Sequence, residues 1–176
     1  MKNSLFVGSF NPITNAHYNI ANYLLNEKIV DYVYFLPVNS SKKNVSLQDR
    51  INMINLVINK NMKVLNILDY NTCGYFNYDT LIKINNIKYI IMGADLFLKF
   101  NIFDNYLDIL KKYYLIIIKR NNIDLLNYVK NNYQEYLDGI IIIDKEYSGS
   151  STISRKTFLN LDKKVLDYIK LNNLYR

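Results

Sequence analysis

Residues 5–17 read LFVGSFNPITNAH, a short apolar run followed by a glycine-led loop that ends in the chain's only histidine. The apolar run is typical of a buried strand, and an amphipathic helix pattern begins after the loop, so His17 lies at a strand–loop–helix junction. In an α/β protein such a junction falls at the carboxyl end of a strand, where ligands bind. A helix N-terminus there offers backbone N–H groups and a positive dipole end to an anion. The alternative is a capped, half-buried imidazole without a ligand.

The rest of the chain alternates short apolar runs with amphipathic segments. The apolar runs, which are typical of parallel strands covered on both faces, are residues 5–7, 32–36, 64–67, 89–92, 113–118 and 140–143. Helical spacing is found at residues 16–27, 47–59, 79–85, 106–111, 125–132 and 163–171. This alternation predicts a Rossmann-like, doubly wound α/β fold, with a parallel sheet of five to six strands and helices on both faces. Because no repeat, linker or charge block divides residues 1–176, we expect a single domain.

The composition narrows the partners and the compartment. A formal charge of +7 favours anionic partners, but charge alone leaves nucleotides, nucleic acid and acidic lipid open. The single cysteine, Cys73, can form no internal disulfide, which fits a reducing cytosol. No signal peptide is visible, and the longest apolar runs are too short to span a bilayer. We therefore expect a cytoplasmic protein.

Two further loops are expected at the sheet edge that carries His17. The first, Gly93-Ala94-Asp95, combines close backbone approach with a carboxylate suited to ribose hydroxyls. An ordinary turn in which Asp95 caps a helix fits it equally well. The second, residues 150–155, reads SSTISR, and its hydroxyl residues can either cap a helix or surround a phosphate. Arg155 follows one turn later and would add a fork of donors to the same anion.

The runs GSFNPITNAH and SSTISR resemble the paired signatures of the nucleotidyltransferase superfamily, (His or Thr)-x-Gly-His and Ser-Ser-Thr-x-x-Arg. Further matches resemble one branch, the bacterial nicotinate-nucleotide adenylyltransferases. They run in order over nearly the whole chain: Arg50 with Met53, Tyr78-Asp79-Thr80-Leu81, Gly93-Ala94-Asp95, Arg120, and the ending Val165…Tyr168-Ile169…Leu174-Tyr175. The resemblance implies a single nucleotidyltransferase domain. It also implies AMP transfer from ATP to nicotinate mononucleotide, which releases pyrophosphate and makes the deamido form of NAD.

The resemblance also implies roles for individual residues. The catalytic residues would be His17, Thr14, Arg155 and Lys43. ATP would contact Gly8, Ser9, Phe10, His17, Gly93, Asp95, Ser150, Ser151, Thr152 and Arg155. The mononucleotide would contact Asn11, Asn77, Thr80, Phe103, Tyr106 and Arg120. For two of these residues a role without a ligand fits equally well. Lys43 could be a solvated surface lysine. Phe103 aligns with a tryptophan that stacks on the pyridine ring in the family, but it could equally be a core aromatic.

This chemistry agrees with the residues present. The attacking phosphate of a mononucleotide is already anionic, so the reaction needs no strong base, and the sequence supplies no second histidine. It needs in-line positioning and neutralisation of charge. By the resemblance, Mg²⁺ would accompany ATP and be held by the triphosphate and water, so no dedicated metal ligands are expected.

Two positions depart from the branch, and two other functions stay open. Thr14 stands where the branch usually has a histidine, and a threonine can donate a hydrogen bond but cannot carry charge. Ala16 stands where the branch has glycine, and its methyl group narrows the approach between the helix and the phosphate. The string ITNAH, with residues 40–43 and 47–50, is also similar to pantetheine-phosphate adenylyltransferase, which makes the same transfer to phosphopantetheine. A non-catalytic basic nucleotide or RNA binder is the second alternative, and the scattered distribution of the lysines counts against it. We expect small-molecule partners and no nucleic acid or membrane; the acid or amide preference and homo-oligomerisation stay open.

Overall fold

A single all-parallel sheet organises the computed structural model, which describes residues 1–38, 45–70, 77–119, 124–145, 147 and 151–175. Its strands in the described chain are β1 (Asn3–Gly8), β2 (Tyr32–Pro37), β3 (Met62–Val64), β4 (Tyr89–Gly93), β5 (Tyr114–Ile118) and β6 (Ile140–Ile143). They are ordered β3-β2-β1-β4-β5-β6. The order reverses between β1 and β4, so a crevice opens outside the carboxyl ends of these two strands. The predicted Rossmann-like, doubly wound fold is confirmed.

Helices cover both faces of this sheet. They are α1 (Asn15–Asn26), α2 (Leu47–Asn55), α3 (Tyr78–Lys83), α4 (Ala94–Phe97), α5 (Tyr106–Lys112), α6 (Leu125–Asn132), α7 (Ser151–Thr157) and α8 (Lys163–Leu171). Short 3₁₀ helices occupy Ile67–Tyr70, Phe100–Ile102 and Gln134–Gly139. One core cluster packs α1, α2 and α8 on one face, and a second packs α3 to α6 on the other. Within the described residues, no helix combines the length and the apolar character needed to cross a membrane.

The continuous apolar runs follow from this two-faced burial. In β5, Leu115 and Ile117 face the α3–α6 cluster, whereas Ile116 and Ile118 face the α1–α2–α8 cluster. Successive side chains of a strand point to opposite faces, so a strand covered on both sides needs an apolar residue at every position. The sequence pattern therefore located the central strands well.

Two predicted elements differ from the observed ones. The prediction of a third strand at residues 64–67 was wrong in position, because the strand is Met62–Val64 and a turn begins at Asn66. The Asn66 side-chain and backbone oxygens accept from Leu68 N–H and Asp69 N–H at 3.1 Å each. Ile67 is fully buried, but in the 3₁₀ helix. The helix predicted at 47–59 ends at Asn55, after which tight turns follow.

Candidate active site

The loop of residues 9–14 leads from β1 to α1 at the crevice between β1 and β4. At its start, Phe10 has φ 43°, and its ring is 1% exposed and packs at centroid distances of 5.4 Å from Phe6 and 5.1 Å from His17. A Cβ atom at Gly8 would lie 3.1 Å from Cζ of Phe10, which is closer than ordinary van der Waals contact, so a side chain at this position would require the ring to shift by a few tenths of an ångström. Because Phe10 is buried as a whole residue, the ATP contact predicted for it stays a prediction.

His17 is held by the residue that caps its own helix. Thr14 is the N-cap residue of α1, and its backbone N–H donates to Nδ1 of His17 at 3.1 Å. A backbone N–H can only donate, so Nδ1 is the acceptor and the ring proton is on Nε2. This arrangement is a capping box in which imidazole takes the place usually held by Glu or Gln. The tautomer that this bond assigns to His17 has Nε2–H as its ring donor.

Thr14 acts on His17 in this structure. Its Oγ1 lies 2.9 Å from Nδ1 of His17, and its side chain is buried. Ala16 is buried as well. The phosphate contact predicted for Thr14 therefore stays a prediction, whereas its orientation of the imidazole is observed.

Helix α7 is hydrogen-bonded directly to the 9–14 loop. Ser151 Oγ donates to the Pro12 carbonyl at 2.9 Å, and Arg155 Nη1 donates to the Asn11 carbonyl at 2.5 Å. Arg155 Nη2 also donates to Thr152 Oγ1 at 3.0 Å. The structure thus brings together the two motifs that the sequence analysis placed at one edge of the sheet, although they are about 140 residues apart.

A buried arginine fastens the other end of the loop. Arg50 of α2 is 3% exposed, and its Nη1 donates to the carbonyls of Ser9 at 2.6 Å and Val38 at 2.7 Å. These bonds join the segment after β1 to the residue after β2. Burial lowers the pKa of Arg50, while the neighbouring Tyr175 raises it.

The segments around α8 complete the contacts to the loop and to α1. The Tyr175 hydroxyl donates to Asn11 Oδ1 at 2.6 Å, and Asn15 N–H donates to the Asn160 carbonyl at 2.9 Å. Burial raises the pKa of the Tyr175 phenol, although nearby Arg50 and Arg155 lower it. Asn11 is 1% exposed, so the mononucleotide contact predicted for it would involve little of its surface.

The third predicted loop lies where β4 ends. Gly93 is half-buried and precedes α4 as its N-cap residue, and Asp95 is exposed in the first turn of that helix. The pairing of β1 with β4, with Phe6 opposite Ile91, brings this loop to the same sheet edge as Gly8. An exposed carboxylate beside the crevice is compatible with the predicted ribose contact.

Two residues predicted to contact the mononucleotide are engaged in a helix cap. Asn77 Oδ1 accepts from both the backbone N–H and the hydroxyl of Thr80, each at 2.8 Å, at the start of α3. Thr80 is fully buried. In this structure Thr80 therefore holds the side chain of Asn77 by hydrogen bonds. The contact of Thr80 with a ligand stays a prediction.

The two aromatic candidates lie at the border of the core. Phe103 and Tyr106 are half-buried, with ring centroids 5.8 Å and 6.3 Å from that of Phe100. Each ring thus packs on the core with one part and is exposed with another. Both interpretations of Phe103, as a core aromatic and as a stacking platform, are compatible with this position.

The match to the family model named Cytidylyltransferase-like extends over residues 5–157, from β1 to the end of α7. The chain belongs to the cytidylyltransferase-like family. The matched range includes both the His17 loop and helix α7, which the structure joins by hydrogen bonds.

Individual relatives of this cytidylyltransferase-like chain are similar over nearly its whole length. Proteins of Endomicrobium trichonymphae and Borrelia turicatae (strain 91E135), each named "Probable nicotinate-nucleotide adenylyltransferase", are 29% and 28% identical. The matches cover 99% of this chain and 99% and 98% of the relatives. Among solved structures, Plasmodium falciparum nicotinic acid mononucleotide adenylyltransferase complexed with NaAD has a TM-score of 0.76 and 22% identity, covering 99% of this chain and 98% of its own. At that identity the likeness shows the fold alone.

Sequence reasoning gave no role to two residues of this cytidylyltransferase-like site. Arg50 and Tyr175 entered only as points of resemblance, yet both hold the 9–14 loop. A signal for Arg50 exists, since it shares one helical face with the buried Met53 and Ile54. The predicted site residues Lys43, Arg120 and Ser150 lie outside the described residues.

Proposed function

We propose that this chain transfers the adenylyl group of ATP to nicotinate mononucleotide, releasing pyrophosphate and forming the deamido form of NAD. The observation that carries the proposal is the attachment of the Arg155 helix to the His17 loop at the crevice where the sheet order reverses. Open α/β sheets bind nucleotides at such crevices. The names of the full-length relatives support the choice of acceptor.

The reaction asks mainly for binding and orientation. A phosphate oxygen of the mononucleotide attacks the α-phosphorus of ATP. The bond from that phosphorus to the bridging oxygen breaks, and pyrophosphate leaves with the electron pair. The attacking oxygen is already anionic, so no side chain has to remove a proton. In this proposal the Nε2–H of His17 and the guanidinium of Arg155 bind phosphate oxygens whose charge grows in the transition state.

We further propose that Mg²⁺ enters with ATP. Among residues 1–38, 45–70, 77–119, 124–145, 147 and 151–175, no group of three or more His, Cys, Asp or Glu residues is placed to hold a metal ion. The loop is flanked by His17 and by Arg155, whose guanidinium carries more N–H donors than its bonds to Asn11 and Thr152 use, and such donors suit phosphate oxygens. In this proposal the ion would be held by the triphosphate and water, and when bound it would neutralise charge on the leaving pyrophosphate.

The remaining contacts follow the sheet edge. Asp95, exposed after β4, is proposed to accept from ribose hydroxyls of the adenosine. Phe103 and Tyr106 are proposed to offer their exposed parts to the pyridine ring. The first proposal rests on the exposed position of Asp95 directly after β4, and the second on the half-buried rings of Phe103 and Tyr106.

Pyrophosphate release from Mg·ATP tests the function directly. Nicotinate mononucleotide, nicotinamide mononucleotide and phosphopantetheine are compared as acceptors at equal concentration, and the first is expected to give the highest kcat/KM. Activity with phosphopantetheine alone would overturn the acceptor and leave the phosphate site standing. No activity with any acceptor, combined with ATP binding that His17→Ala leaves unchanged, would favour a basic nucleotide binder instead.

A further inference from the structure

The turn that follows α8 places Tyr175 by a defined local mechanism. Asn173 has φ 53°, Leu174 N–H donates to the Ile169 carbonyl at 3.0 Å, and Asn173 N–H donates to the Lys170 carbonyl at 3.3 Å. This pair of bonds around a left-handed residue is a Schellman motif, which ends a helix and reverses the chain. Leu174 and Ile169 belong to the same core cluster, as the motif's usual apolar contact requires.

Tyr175 therefore returns toward the 9–14 loop with its aromatic body packed on the α1–α2–α8 cluster. Its hydroxyl donates to Asn11 Oδ1 at 2.6 Å. Burial raises the pKa of this phenol, so the hydroxyl keeps its proton and remains a donor. The bond is short, and its acceptor is a nearly inaccessible side chain in the middle of the loop.

Asn11 connects Tyr175 to the arginine of the SSTISR motif. The side-chain oxygen of Asn11 accepts from Tyr175, and its backbone oxygen accepts from Arg155 Nη1. Asn11 is thus held at two of its atoms: the turn after α8 binds its side-chain oxygen, and α7 binds its backbone oxygen. Rotation or displacement of Asn11 would move the carbonyl on which the guanidinium rests.

We propose that Tyr175 is a positioning residue, which through Asn11 holds Arg155 in the orientation that meets the ATP phosphates. This inference rests on the proposed function, because it takes phosphate binding as the task of Arg155. In this role Tyr175 acts through the loop, by the hydrogen bond from its hydroxyl to Asn11 Oδ1.

The chain offers a matched control for its removal. Tyr168, in α8, also uses its hydroxyl to fasten this region, donating to Asp49 Oδ1 at 2.9 Å and accepting from Asn52 Nδ2 at 2.9 Å. Its partners lie on the flank of α2. Tyr175→Phe and Tyr168→Phe therefore make the same chemical change in one structural region, and only the first releases the loop.

The experiment compares wild type, both single variants, Asn11→Ala and the Asn11→Ala/Tyr175→Phe double variant, with urea unfolding midpoints measured for each. We expect Tyr175→Phe to lower kcat/KM for ATP about tenfold and to weaken ATP binding in calorimetry, because small displacements of a positioning group are costly to rate. Tyr168→Phe should change kcat/KM for ATP and the ATP affinity less than twofold, although its urea unfolding midpoint should shift about as much as that of Tyr175→Phe. In the Asn11→Ala background, Tyr175→Phe should have no further effect, since its acceptor is gone.

Two results would overturn the positioning role: equal effects of the two Tyr→Phe changes, or full additivity of Tyr175→Phe with Asn11→Ala. Failure of the proposed function would appear separately, as wild-type protein that binds ATP but releases no pyrophosphate with any acceptor. In that case calorimetry decides the inference alone. An ATP affinity that Tyr175→Phe reduces no more than Tyr168→Phe would then reject it.

Discussion

Replacement of Arg50 by methionine is expected to loosen the loop that carries His17. Arg50 Nη1 is bonded to two carbonyls, those of Ser9 and Val38, at 2.6 and 2.7 Å, and its side chain is 3% exposed. Methionine keeps much of the length and the apolar stem but has no donor. Each carbonyl left without a partner costs about 1–3 kcal/mol, and both belong to half-buried residues that water can partly reach. We therefore expect the free energy of unfolding to fall by about 2–3 kcal/mol.

Urea unfolding followed by circular dichroism measures this change, with the m-value checked for constancy. Lys60→Met is the control, because it removes an exposed cation and should alter stability by no more than about 0.5 kcal/mol. Arg50→Lys should fall between the two, since a single ammonium lacks the planar fork of donors. A free energy of unfolding for Arg50→Met that stays within about 0.5 kcal/mol of wild type would refute the view that Arg50 ties β1 to β2.

Three other changes test separate parts of the structure. Gly8→Ala places a Cβ 3.1 Å from Cζ of Phe10, so urea unfolding should show a loss of about 1–3 kcal/mol; unchanged stability would mean that the ring is not packed on Gly8. Burial and the neighbouring Tyr128 raise the pKa of Tyr133 to about 12, so the unfolded state loses the phenol proton at lower pH than the folded state does. The free energy of unfolding should therefore fall as pH rises from about 10 to 12, by up to about 1.4 kcal/mol per pH unit. Tyr133→Phe should make that fall shallower, and an identical slope would contradict the shift. Phe103→Ala should raise KM for nicotinate mononucleotide about fivefold if the ring stacks on the pyridine, whereas a core role alone would lower stability and leave KM unchanged.

The sheet could be predicted from sequence because a strand that is buried on both faces consists of consecutive apolar residues. In β5 the side chains of residues 115–118 alternate between the two core clusters, and all four of these residues are aliphatic. The third strand was displaced because Ile67 continues an apolar run while Asn66 starts a turn, and apolar character alone does not distinguish a short strand from a buried 3₁₀ turn.

The motifs of the site could also be located, but the contacts that hold them could not. Arg50 donates to a carbonyl 41 residues away, and Tyr175 to an amide 164 residues away. A carbonyl exists at every residue, so no residue type marks the acceptor of Arg50. The burial of Thr14 and Thr80 was similarly invisible, because a threonine that is hydrogen-bonded within the first turn of a helix and one that binds a ligand have the same local sequence.

The central claim is that His17 faces the phosphates of ATP from the start of α1, and pyrophosphate release by His17→Glu tests it most directly. Glutamate at this position can accept from Thr14 N–H in a capping box and is favourable near a helix N-terminus, so the fold and melting temperature should be retained. Its carboxylate would repel the triphosphate and replace the Nε2–H donor, so turnover with Mg·ATP and nicotinate mononucleotide should fall about a hundredfold or more. A folded His17→Glu protein that turns over within a few-fold of wild type would contradict the claim.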